Sequence, residues 1–450
     1  GALAVTRPQI YFGEETSDYV FVKTREKEFD YPQGDENAFT TYEGTGGVPV
    51  GSYWDRLMFA LRFGDMNILL TDALTDNSRV MFNRHIQTRV RRIAPFLMLD
   101  KDPYPVIADG KLVWLQDAYT ATDQYPYSEP YQRNINYIRN SVKITIDAYD
   151  GTTTFYVMES DEPILRAYRA IFPALFKPME QMPAALRDHL RYPEGLFTIQ
   201  AAMYRTYHMQ DPLVFYNKED LWAIPNESAD GQPNPMEPYY VIMRLPSDPK
   251  EEFMLMLPFT PAKRQNMVAW MSAKSDGADY GKRLVYRFPK DKLVYGPEQI
   301  HARLNQDPII SAQLTLLSQR GSRVLWGNLL VIPIEKSLLY IQPMYLLAEQ
   351  SQIPQLKRVV VATSNNVVME PTLGDALARI FGAGASVVAT PTTPTTGAPT
   401  SVNALVKKAN DHYARAQDAL KTGDWATYGK EMQGLQQTLE ELMKATGQRQ

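Results

Sequence analysis

Two periodicities organise the 450-residue chain: alternating apolar and polar runs, which predict strands, and apolar residues three and four apart, which predict helices. The first forty residues read as short extended pieces, with alternation at 19–22 and turn chemistry at Pro32-Gln33-Gly34. Helical spacing covers 53–63 and 78–93; in the second, Phe82, Ile86, Val90 and Ile93 share a face and Ser78 suits the N-cap. Two hairpins follow. Residues 106–108 and 111–115 flank Asp109-Gly110, a strong two-residue turn signal, and 142–148 returns through Asp150-Gly151 to 152–158. A helical block spans 163–172, 182–190 and 196–209, its segments separated by prolines. Strands are expected to resume near Val214 and to recur at 239–245, 253–257, 283–288, 329–334, 338–341 and 359–362. A helix is expected at 261–273 and two short ones between Pro297 and Ser318. Strands joined by tight turns, with helices in separate runs, predict an α+β fold of mostly antiparallel short strands and hairpins, plus a C-terminal two-helix hairpin.

The pattern breaks at 384–400, where Thr and Pro dominate and a linker is expected. It separates a main α+β domain over 1–383, with room for two lobes, from a helical hairpin over 401–450. Leu405, Ala409, Tyr413, Ala416 and Leu420 mark the first helix; Trp425, Tyr428, Met432, Leu435 and Leu439 mark the second. Gly423 suits the end of one and Asp424 the N-cap of the other. Two such helices bury little alone, so the hairpin is expected to dock on the main body or on another copy, making a homo-oligomer.

Composition narrows the chemistry. The 47 basic and 51 acidic residues leave a net charge of -4 and no basic arm, which argues against a nucleic-acid partner. Cysteine is absent, removing disulfides and thiolate chemistry together. The loop Gly44–Ser52 lacks the lysine of a phosphate loop and reads as a flexible connection. The five histidines never fall one helical turn apart, so no metal site or cofactor is expected; His208 beside Asp211 reads as capping rather than catalysis.

One stretch stands out. Between Asp100 and Ser141 the chain packs Tyr104, Trp114, Tyr119, Tyr125, Tyr127, Tyr131 and Tyr137 among Asp100, Asp102, Asp109, Asp117, Asp123 and Glu129. Just upstream, 78–95 carries five arginines and no acid, and Arg79 and Arg89 at the margins of the apolar face are expected to meet these carboxylates in internal salt bridges. Tyr104, Trp114, Tyr119, Tyr125 and Tyr127 are the ligand-binding candidates, since amphipathic rings bring contact area with a polar end. Asp117, Asp123 and Glu129 are the catalytic candidates for a glycan hydrolase, which needs two carboxyl groups facing across a cleft. The same residues could instead hold a core corner together.

Ordered motifs along the chain resemble a known family. Arg7-Pro8-Gln9-Ile10-Tyr11-Phe12-Gly13-Glu14, Ala94-Pro95-Phe96-Leu97, Asp102-Pro103-Tyr104, Asp117-Ala118-Tyr119-Thr120, Tyr125-Pro126-Tyr127-Ser128, Leu257-Pro258-Phe259-Thr260, Gly327-Asn328-Leu329-Leu330 and Gly423-Asp424-Trp425 look like the uncharacterised protein family 0182 of large bacterial and cyanobacterial membrane proteins. The resemblance implies a transmembrane region absent from this chain, anchoring a soluble part that faces outward from the cell membrane. It carries no catalytic residues. The expected function is a binding or assembly module in the cell envelope, partnered by a glycan, peptide or protein; the alternative is an envelope glycan hydrolase.

Overall fold

A computed structural model describes residues 4–382, apart from 35, 133–134, 230–231, 246–249, 290–292, 319–321, 335–336 and 349–352, and five later positions, 415, 427, 430, 431 and 434. Contacts divide the chain into two units, Gly1–Gly382 and Ala383–Gln450. In the second unit the five described positions are helical, and Arg415 Nε meets Glu431 Oε2 at 3.2 Å. The Thr/Pro stretch and the rest of the expected hairpin lie outside the described residues.

The first unit is α+β, and among the described residues its strands pair antiparallel except where Thr153–Val157 runs parallel to Phe176–Pro178; the isolated bridges Arg7 to Lys111 and Gly13 to His85 are also parallel. Its largest sheet is built on two long strands, Lys111–Thr122 and Tyr137–Asp147, which pair with each other. Tyr104–Ala108 and Met98–Leu99 flank the first, and Thr153–Val157 flanks the second. The Asp109-Gly110 turn forms as expected, with both residues at positive φ, 51° and 75°. A second sheet runs Trp222–Ala223, Glu252–Pro261, Ala269–Lys274, Arg283–Arg287, with Tyr239–Met243 also on Glu252–Pro261. A third sheet is built on Ser337–Ala348, between Ser322–Trp326 and Gln355–Ala362. The helix Glu194–Tyr207 buries Leu196, Phe197 and Ala201 in a core shared by Tyr119 and Ile138 of the first sheet and Met254–Phe259 of the second. That shared core fixes the two sheets relative to each other.

Four local expectations give way to tertiary context. Residues 78–93 are not one helix: Arg79–Met81 is a strand between Val20–Val22 and Val48–Pro49, and the helix is only Ile86–Ile93, capped by His85. Burying Val80 and Met81 between two strands outweighs the helical spacing. Residues 261–273 hold no helix; Ala269–Lys274 is a strand with all six residues buried, so no alternation marks it. Near Val214 the chain is helical, because Asp211 accepts from Leu213 and Val214 N–H ahead of Pro212 at the first turn. The Gly44–Ser52 loop is packed, not free: Asp150 Oδ1 accepts from Thr45 and Gly46 N–H at 3.1 and 3.3 Å. A Cβ on Gly46 would stand 2.4 Å from the Asp150 carbonyl oxygen.

The expected arginine–carboxylate network is absent from Arg79 and Arg89. Arg79 donates to the carbonyls of Gly46 and Gly47 at 2.6 and 2.7 Å. Arg89 donates to the Gly151 carbonyl at 2.8 Å and lies 4.7 Å over the Phe12 ring. Turn carbonyls, not acids, satisfy both guanidinium groups, and burial lowers the Arg89 pKa from its usual value.

Candidate functional site

The aromatic-acidic stretch separates into a buried half and an open half. Residues 114–120 of the strand Lys111–Thr122 are buried without interruption, because both faces of this central strand are covered. Trp114 is among them, its Nε1–H donating to the Phe12 carbonyl at 3.0 Å. Tyr119 is 2 % exposed and donates to Asp100, which also accepts from Gly195 N–H at 3.0 Å. Tyr104 is buried against Leu186 and Leu190, with its hydroxyl at the His189 carbonyl. Asp117 pairs with Lys143 across the two long strands, both at most 3 % exposed. Asn140 Nδ2 donates to Asp117 at 2.9 Å, and Lys143 Nζ donates to the Arg191 carbonyl at 2.8 Å. These four candidates form a polar seam inside the fold and face no cleft.

The open half is the loop that joins the two long strands. Asn136 clips it: its side chain accepts from Tyr125 N–H at 3.0 Å and donates to the Tyr125 carbonyl at 2.7 Å, while Ser128 Oγ donates to the Asn136 carbonyl at 2.6 Å. So held, Tyr125 stacks on Tyr137 with ring centroids 5.2 Å apart. Tyr137 donates to Glu162 at 2.9 Å; burial, then this bond, pushes its pKa up to about 12. Tyr127 is fully exposed at φ 59°, and Asp123 is an exposed acceptor for Gln124 Nε2 at 2.8 Å.

Tyr125, Glu129, Tyr131 and Tyr137 line an open groove of about 850 Å3. Its far wall is the helix Glu194–Tyr207, which contributes Tyr204 and Tyr207, and its floor includes Met271 and Val285 of the second sheet. Tyr207 is hydrogen-bonded to Glu129, and burial and that bond raise its hydroxyl pKa. Two cations lie on the rim, Arg139 and Arg283. Among the described residues neither forms a direct ion pair; Glu159 is the acid whose charge both arginines feel, and Arg283 is also hydrogen-bonded to the Tyr192 side chain. The groove thus offers five tyrosines, an apolar floor and two rim guanidinium groups. Glu129 is its only carboxylate among the described residues.

Sequence reasoning missed Tyr204, Tyr207, Arg139 and Arg283. One signal was present: at 100° per residue, Ile199, Met203 and Tyr207 form a second stripe roughly opposite Phe197 and Ala201, so the helix has more apolar surface than one core face uses. His208 and Asp211 do not pair. His208 stacks on Trp222 at 3.7 Å and Asp211 caps the next helix.

A family profile described as "Uncharacterised protein family (UPF0182)" matches residues 1–317, more than half of the chain. The chain belongs to that family. It is 53% identical over 449 residues to the UPF0182 protein of Pelotomaculum thermopropionicum, covering 99% of this chain and 49% of that protein. The UPF0182 protein of Sulfurovum sp. is 50% identical over 446 residues, covering 97% of this chain and 48% of that one. For that of Trichodesmium erythraeum the figures are 48% over 463 residues, 99% and 50%. The chain spans about half the length of these curated relatives. No solved structure matches it. Among the described residues no helix is long and apolar enough to cross a membrane.

Proposed function

We propose that this UPF0182 chain is the outward-facing part of an integral membrane protein of the cell envelope and acts there as a binding or assembly module, with the tyrosine groove as its ligand site. The observation that carries the binding role is the groove itself: tyrosine faces over an apolar floor suit sugar rings or apolar side chains, and the two rim arginines favour an anionic group. The location rests on the motif resemblance, and the missing cysteines are compatible with it. The hydrolase reading loses its footing, because Asp117 is sealed in an ion pair and, among the described residues, Glu129 alone of the carboxylates reaches the groove.

The test is binding by the whole chain to arrays of envelope glycan fragments and of peptides, comparing wild type with Tyr125→Ala/Tyr207→Ala. Both rings are about half exposed, so the variant is expected to keep its melting temperature and lose its ligand. Unchanged binding would remove the groove from the account. For location, a reporter fused to the C-terminus of the full-length protein should read as extracytoplasmic; a cytoplasmic signal would overturn that half of the proposal.

A further inference from the structure

The groove is bordered by the last strand of the second sheet, Arg283–Arg287, which pairs with Ala269–Lys274 on one side and, among the described residues, with no strand on the other. The hydrogen bonds at both ends of this ladder set its phase. Lys274 N–H donates to the Lys282 carbonyl at 3.0 Å and Phe288 N–H donates to the Val268 carbonyl at 2.8 Å, so even-numbered residues face inward along the ladder. The N–H and C=O groups of Arg283, Val285 and Arg287 therefore point to the open edge, and no protein group among the described residues bonds them. Side chains alternate with the same phase. Arg283 and Val285 line the tyrosine groove, whereas Tyr286, stacked on Trp270 at 4.3 Å, lines a second pocket of about 400 Å3 on the opposite face with Phe288, Tyr295 and Leu338.

We propose that a partner protein docks here by adding an extended acidic-and-apolar segment as a further strand on Arg283–Arg287. The proposal rests on reading the groove as a ligand site and names its partner. Unbonded backbone groups in a row call for another backbone, which a glycan does not supply. Pockets on both faces of one edge strand would take alternate side chains of the added segment, the arrangement from which strand addition draws specificity. Charge selects the occupant. Arg139, Arg283 and Arg287 form no direct ion pair among the described residues: Arg139 and Arg287 donate to the carbonyls of Ile138 and His208 at 2.8 and 3.1 Å, and Arg139 and Arg283 share the field of one acid, Glu159, so the edge stays cationic and favours acidic residues. A second copy of this strand is disfavoured, because antiparallel pairing about Val285 would set Arg283 against Arg287.

The probes are synthetic peptides about eight residues long, with Glu alternating with Leu or Phe, counterparts carrying Lys for Glu, and acidic peptides N-methylated at alternate residues. Binding is read by fluorescence anisotropy on the full chain. Val285→Pro deletes an N–H that faces away from the existing ladder, and Val285→Ala deletes the same side chain while keeping that N–H. The acidic peptide should bind Val285→Pro about tenfold or more weakly than Val285→Ala, which lacks the same side chain but keeps the N–H. Arg139→Glu/Arg283→Glu should exchange the preference toward the lysine peptide. N-methylation in one of the two alternating phases should abolish binding to wild type, a readout that stands even if the proline variant misfolds. Equal binding by Val285→Pro and Val285→Ala, indifference to N-methylation in both phases, or equal affinity for the lysine peptide would each overturn strand addition. If no peptide binds but a glycan does and needs Tyr125 and Tyr207, this inference fails and the groove reading survives; if nothing binds, both fail.

Discussion

Asp117 and Lys143 stand opposite each other on adjacent antiparallel strands and meet as an ion pair from which water is excluded. Their remaining valences are filled by Asn140, by the Arg191 carbonyl and by the Tyr280 ring 5.2 Å from Lys143 Nζ. An acid held in this way organises the interior. Lys143→Met should leave the Asp117 charge buried and unpaired and cost about 3–5 kcal/mol, whereas Asp117→Leu/Lys143→Met should regain most of that loss. Urea unfolding of both variants measures it. A single variant as stable as wild type would show that the pair is not closed to solvent.

Gly195 places the first turn of its helix against Asp100. A Cβ there would lie 2.6 Å from Asp100 Oδ2 and 3.2 Å from the Tyr119 hydroxyl. Gly195→Ala should therefore displace Asp100 and lower the melting temperature despite alanine's better helix propensity. Tyr119→Phe should cost about 1–3 kcal/mol by removing a donor to the buried Asp100 carboxylate. A rise in stability in either variant contradicts the packing described.

Much of this fold was legible because local signals and tertiary demand agreed. Asp109-Gly110 had the two residues a tight hairpin needs, and Pro297 and Pro308 each open a helix at the first turn. Agreement failed where burial was complete or the element very short, as in Ala269–Lys274 and Arg79–Met81. The site was half legible. Tyr125 and Glu129 were singled out and line the groove, but Trp114 and Tyr119, close by in sequence, lie on a strand covered on both faces. The opposite wall comes from residues 196–207 and the floor from 271 and 285, and no local pattern joins segments so far apart.

Glu194 opens that same helix, and burial, reinforced by the charges of Asp102, Asp100 and Glu237 against the opposing Lys101, pushes its pKa from 4.5 up to about 7. The folded chain thus binds this proton more tightly than the unfolded chain. Stability gained at low pH should be lost as pH rises from about 4.5 to about 7 and level off above. Glu194→Gln should remove that slope and be the more stable protein at pH 8. The difference between wild-type and variant unfolding free energies across pH isolates this group; parallel curves would contradict the assignment.

The groove's role as a ligand site is tested most directly by methionine methyl NMR on the whole chain, because Met203 and Met271 line it while Met81 and Met344 are buried in other cores. On titration with a pool of envelope glycan fragments and acidic peptides, the Met203 and Met271 signals should shift together and saturate, with Met81 and Met344 unmoved. Saturable shifts confined to methionines elsewhere, or no shift at any concentration of the pool, would contradict it.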